Sequence, residues 1–202
     1  MKLTYCLFFV ALFAVSACKK SENEANKPKG PLTSKATINN KTYPTILLGA
    51  QEWTSSNYEG DGGISGAKPE YGKYYTLSEA LAINLSQGWR IPTVADYTQL
   101  AESQGIVVTS QSAYKQEAIK KLTSKTNWLN VQGTNESGFN AYPAGYSFSG
   151  SAPMAGDISE FWTMDGTTFS IQEGANKSLR LVFYDNSHSS LYRFNLRFVR
   201  NR

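Results

Sequence analysis

The sequence predicts an α+β fold, with helices early and antiparallel sheet late, and three observations carry that reading. Apolar and polar residues alternate with period two near both ends of the globular part. Between those ends lie two stretches with helical spacing, each opened by a reciprocal capping pattern. The second half is rich in Gly, Ser and Asn with only short apolar runs, which suits strands joined by long loops.

Taken in order, Ala36, Ile38 and Tyr43 flank Asn39-Asn40 and are followed by residues 45–48, which predicts a hairpin leading into a buried strand. Thr76 with Glu79 three residues later forms a capping box ahead of Ala80, Leu81, Ile83 and Leu85, and Gly88 is read as the stop of that helix. A second helix starts at Pro92-Thr93, with Asp96 placed to cap reciprocally. Its Val94, Tyr97, Leu100 and Ala101 share one face, and Gly105 ends it. Tyr114, Ala118, Ile119 and Leu122 predict a third, shorter helix before Trp128. Residues 179–184 and 192–199 read as a closing hairpin. In its second strand Tyr192, Phe194, Leu196 and Phe198 alternate with Arg193, Asn195 and Arg197, which predicts one buried face and one cationic face.

The amino end reads as a leader. Lys2 precedes an apolar run over residues 7–15, far shorter than the roughly 20 residues a membrane-spanning helix needs, and small Ser16 and Ala17 follow. Val15, Ser16, Ala17 and Cys18 together resemble the bacterial lipobox, which makes residues 1–17 a signal peptide and Cys18 the lipidated first residue of the mature chain. Several acyl chains, each contributing about 0.8 kcal/mol per buried methylene, would hold it on the membrane. Residues 18–33 form a tether, in which the stretch 19–30 has no large apolar side chain to offset its ordering entropy. Its Glu22 and Glu24 resemble surface-export signals of Bacteroidetes lipoproteins, but Lys19 and Lys20 precede them. The expected location is therefore the outer membrane, with periplasmic face and cell surface both open.

Residues 34–202 are one domain by length. Cys6 leaves with the leader and Cys18 takes lipid, so the domain has no thiol for a disulfide or a nucleophile. Twenty Lys and Arg against 16 Asp and Glu are mixed along the chain without a basic stripe, which argues against a nucleic-acid partner. One histidine, His188, cannot build a multi-histidine zinc site and sits in a polar turn. No serine elbow, phosphate loop or dinucleotide fingerprint is present, so a non-catalytic domain is expected.

Read in order, Gln51-Glu52-Trp53 with Asn57, the run 71–76, Gly88-Trp89-Arg90-Ile91-Pro92-Thr93, the run 133–146, Phe161-Trp162 and Arg197-Phe198-Val199-Arg200 resemble the Fibrobacter succinogenes major paralogous domain of Bacteroidetes-type lipoproteins. That resemblance implies a C-type-lectin-like fold, allied to the formylglycine-generating-enzyme fold, with terminal strands paired and long loops on one side. It also implies two cysteines where this chain has Leu85 and Phe198, so an apolar contact is expected in place of a cross-link worth about 2 to 4 kcal/mol. Formylglycine generation needs reactive cysteines, which argues against that chemistry here.

The candidate ligand-binding residues are Trp162, Glu160, Asp165, Tyr146 and Asn140, with Tyr184 as a further aromatic. Trp162 lies between Glu160 and Asp165 in a glycine-rich region, where a ring either stacks on a sugar or fills the core. Trp53 and Trp89 are expected in the core. Glu136, Asn140 and Asp157 are hard oxygen donors that suit calcium, although residues 135–140 also read as a structural turn, and Asn57, Glu59 and Asp61 as a solvated loop. Three functions follow: binding of a glycan or surface protein, a structural role with a protein partner, and a carbohydrate-active enzyme using Glu160 with Asp165.

Overall fold

The Asn39-Asn40 pair turns the first hairpin because both residues sit at positive φ, 48° and 62°, as the turn that matches strand twist demands. It joins β1 (Thr33–Ile38) to β2 (Lys41–Leu48), and β3 (Gln51–Thr54) returns along β2. The computed structural model describes residues 31–202; the expected signal peptide, Cys18 and most of the expected tether lie outside the described residues. Two short strands, β4 (Ile64–Ser65) and β5 (Lys73–Tyr74), pair with each other ahead of α1 (Leu77–Leu81) and α2 (Val94–Ser103). Then come β6 (Ser112–Ala113), α3 (Gln116–Leu122), β7 (Ser147–Phe148), β8 (Ile158–Trp162), β9 (Thr167–Glu173), β10 (Leu179–Asp185), β11 (Tyr192–Arg193) and β12 (Val199–Asn201).

Both capping boxes form. Thr76 accepts from the Glu79 amide and Thr93 from the Asp96 amide, while each acidic side chain returns to the cap backbone. The first helix is shorter than its sequence pattern: it ends at Leu81, and Ile83 closes a tight turn onto the Ala80 carbonyl. Asn84 and Ser86, which bond locally and disfavour helix, leave Gly88 to a later turn rather than to the helix stop.

One sheet has the order β1-β2-β3-β12 and the other β6-β10-β9-β8. The first and last strands share a sheet as its two edges and do not pair directly, because β3 occupies the place beside β12. The expected closing hairpin is also replaced. β10 pairs with β9 along its whole length, whereas residues 192–199 part into β11 beside β7, single bridges from Phe194 to Tyr75 and from Asn195 to Phe161, and then β12.

The larger core lies where both sheets meet α2 and α3, with Trp53, Tyr97, Phe139, Phe161, Phe169, Leu181 and Val199 buried in it. A second cluster gathers Tyr43, Tyr58, Tyr75, Trp89, Trp162, Phe194 and Phe198, and Leu85 packs against it. Leu85 and Phe198, the positions at which the resemblance implies cysteines, thus reach the same cluster. The expected cationic face of residues 192–199 does not exist: Asn195 and Arg197 are fully buried. Arg197 donates to Asn57 Oδ1 at 2.6 Å and to the carbonyls of Thr54, Phe139 and Asn140, with its guanidinium 4.8 Å from the Phe139 ring. Among the described residues it has no carboxylate partner, and burial pulls its pKa down to about 9.

Candidate functional site

In the second sheet, side chains alternate between two unlike faces. Phe161 of β8, Phe169 and Ile171 of β9, and Leu181 and Phe183 of β10 point to the main core. The opposite face is made of Ile158 and Glu160, then Thr168, Ser170 and Gln172, then Tyr184, in register across the three strands. A polar face on a central sheet needs cover. It is provided by Tyr146, Tyr192 and Phe194, and the open cleft of about 290 Å³ is lined by these three with Ile158, Glu160, Gln172, Tyr184, Asp185 and Asn186.

Glu160 is the chemical centre of the cleft. It is 5% exposed, and burial pushes its carboxyl up to about 7 against the lowering effect of a hydrogen bond. That bond comes from Thr168 Oγ1 to Oε1 at 2.6 Å, and Thr168 in turn accepts from Asn186 Nδ2 at 2.9 Å. Among the described residues Oε2 has no hydrogen-bond partner, and Glu160 lines the cleft. The outer carboxylate is Asp185. The Ser187 hydroxyl and amide donate to it and hold its pKa below the usual carboxylate value.

The aromatic wall runs outward from the core. Trp162 meets Phe194 at 4.7 Å between ring centroids, Phe194 meets Tyr192 at 5.3 Å in a stacked pair, and Tyr192 meets Tyr146 at 5.7 Å and Phe148 at 4.9 Å. Phe148 is 40% exposed, so the row of rings reaches solvent. Gly145 fixes where Tyr146 enters. Its φ is +69°, its amide donates to the Ile158 carbonyl, and a side chain there would land on the Met154 carbonyl.

The structure brings together Glu160, Tyr146 and Tyr184 of the candidates and separates the others. Trp162 is corrected from a surface ring to a core one: it is fully buried, and its Nε1 donates to the Tyr75 carbonyl at 2.7 Å, so no ligand can stack on it. Asp165 lies outside the cleft, in the β8–β9 turn, where Thr163 Oγ1 and the Thr167 amide donate to it. Asn140 sits at φ 57° and lends its carbonyl to Arg197, within a turn stitched by Ser137 Oγ to the Lys121 carbonyl. Glu136 and Asp157 are exposed, and Glu136 borders a separate depression with Lys121 and Lys125. Among the described residues no three His, Cys, Asp or Glu side chains converge to hold a metal. Asn57 is likewise a buried partner of Arg197 rather than a loop ligand. Cys18 lies outside the described residues.

Sequence reasoning missed Tyr192 as a wall, and Gln172, Asp185 and Asn186 altogether. The signal was present: Thr168, Ser170 and Gln172 alternate with Phe169 and Ile171, the pattern of a strand with one polar face.

A family model, the Fibrobacter succinogenes major domain, matches residues 23–200. The chain belongs to this family. No curated protein and no solved structure matches it. The match begins inside the segment read as tether and runs through β12. In this Fibrobacter succinogenes major domain, most of the blocks that carry the resemblance meet away from the cleft. Asn57, Phe139, Asn140 and Arg197, drawn from three of those blocks, form one buried network, and Arg90 joins Asp96 at the start of α2. Of the cleft residues only Tyr146 belongs to a quoted block.

Proposed function

We propose that this protein is a lipoprotein of the outer membrane, held by lipid on Cys18, whose C-type-lectin-like domain binds a glycan without transforming it. The observation that supports this reading best is the cleft over Glu160. Aromatic faces and a few converging polar groups, here Glu160, Gln172 and Asn186 between Tyr146, Tyr184 and Tyr192, are the composition of a small-ligand site. Sugars suit it because their C–H faces pack on rings while their hydroxyls need hydrogen-bond partners. The lectin-like architecture draws support from the sheet that unites strands from both ends of the domain, with long irregular segments between.

One observation favours a second reading, a carbohydrate-active enzyme. Glu160 and Asp185 line one cleft with pKa values pushed in opposite directions, as an acid and its ionised partner are.

A thermal melt of the full chain in non-ionic detergent, against a panel of oligosaccharides and with calcium or chelator, tests the binding reading. A ligand of the folded state raises the midpoint by mass action, about 2.7 kcal/mol at one hundred times its Kd. The expected result is a rise with at least one oligosaccharide that Tyr192→Ala abolishes. Cleavage of that oligosaccharide, lost in Glu160→Gln, would move the assignment to the enzyme. No rise with any sugar would end the glycan reading and direct the search to a protein partner at the exposed Phe148, Met154 and Leu191.

A further inference from the structure

The cleft has an unbalanced set of charges. Two carboxyls line it, and neither a lysine nor an arginine does. Of the two neighbouring guanidinium groups, Arg193 pairs with Glu79, and Arg180 is engaged by two of the lining residues, donating to Gln172 Oε1 and the Tyr184 hydroxyl. Glu160 is thus a buried carboxyl lining the cleft, with one oxygen on a neutral threonine and the other without a partner among the described residues. A carboxylate desolvated without a cation is a costly arrangement, and it becomes favourable when a ligand supplies the charge.

The surrounding rings add the second half of a cation site. Tyr146, Tyr184, Tyr192 and Phe194 all line the same space. The negative faces of aromatic rings attract an ammonium group, and the attraction strengthens when water is excluded. Neutral sugars would use the same rings and hydroxyl partners without meeting the unpaired carboxyl.

We propose that the cleft selects a ligand carrying an organic ammonium group, which in a glycan is an amino sugar with its amine free rather than acetylated. The inference deepens the glycan reading and rests on it. The ammonium sits against the unpartnered oxygen of Glu160 with the aromatic wall on its flanks, and Asp185 adds negative potential at the mouth. Neighbouring sugar units extend along Tyr192 toward the exposed Phe148.

Calorimetric titration of the full chain in non-ionic detergent near pH 7 with a glucosamine hexamer, its fully N-acetylated counterpart, a glucose hexamer of the same linkage and a trilysine peptide tests the proposal. The glucosamine hexamer is expected to bind roughly ten-fold or more tighter than either neutral hexamer. Glu160→Gln, which keeps the shape, should reduce that preference to within about two-fold while neutral binding persists. Equal affinity for the three hexamers overturns the ammonium inference and leaves the glycan reading standing. Binding of trilysine with none of the hexamers keeps the ammonium chemistry but overturns the glycan as its source. Binding of none of the four overturns both. If Glu160→Gln fails to fold, the comparison of the hexamers on the unaltered chain still decides.

Discussion

At the scale of single residues, three of the buried charged groups are accommodated by three different means. Glu52 lies under Arg200 and Arg202, and those ion pairs with the Thr45 hydroxyl outweigh the burial that would raise its pKa. Arg197 is dispersed over backbone carbonyls and a side-chain amide. Glu160 has only a threonine, and its raised pKa makes it a source of pH-dependent stability. Its folded value of about 7 lies above the unfolded 4.5, so the folded chain holds the proton more tightly. The stabilisation is complete below pH 4.5 and is lost as pH rises through 7. Glu160→Gln is permanently neutral. Relative to the unaltered chain it should gain stability from acid to neutral pH, on the order of 3 kcal/mol by pH 8. Urea unfolding at several pH values measures the gap, and a gap that stays constant or narrows contradicts the assignment.

At the scale of elements, α2 depends on Asp96, which serves at once as the capping partner of Thr93, the ion-pair partner of Arg90 and the acceptor of Gln51 Nε2. Burial opposes its charge, but these bonds prevail and hold its carboxyl well below the usual range. The resulting stability is present above the unfolded pKa near 3.8 and is lost as pH falls below it. Asp96→Asn should cost about 2 kcal/mol at neutral pH, less than a fully buried pair because Arg90 reaches solvent. The same loss should shrink in acid; a denaturation series showing equal loss at pH 7 and near pH 2 would contradict the ion pair's role. This helix start was legible in the sequence because its determinants are local: Thr93 and Asp96 lie within one turn. So was the Asn39-Asn40 hairpin. The β8–β9 pair was not, because its short alternating strands lie in a Gly- and Ser-rich background that reads as loop. The partner of β10 was not legible either, since adjacent alternating segments suggest a hairpin and only the whole sheet decides otherwise. Arg197 was misread for the same reason. Alternation put it on a solvent face, while the groups that receive it come from Thr54, Asn57, Phe139 and Asn140, distant in the chain.

At the scale of the whole molecule, the blocks that carry the family resemblance and the cleft have separate places. The Arg197 network ties β3, the turn before β7 and the approach to β12 into one body. The cleft lies on the other face of the second sheet, under Tyr146 and Tyr192, with most of its lining outside those blocks. A third of the candidate site is readable in the sequence: of the nine lining residues, Glu160, Tyr146 and Tyr184 stand out as an acid and aromatics. Trp162 was not separable from them by sequence, because a tryptophan beside a glutamate in a strand faces ligand or core according to what covers it. Here Phe194 and Tyr75 cover it. The most direct test of the central claim is a two-dimensional NMR titration of the isotope-labelled full chain in detergent with whichever oligosaccharide raises the melting point. Shifts should concentrate at Tyr146, Glu160, Gln172, Tyr184, Asn186 and Tyr192, with the Arg197 network unmoved. Shifts centred instead on the depression bordered by Lys121, Lys125 and Glu136 would contradict it.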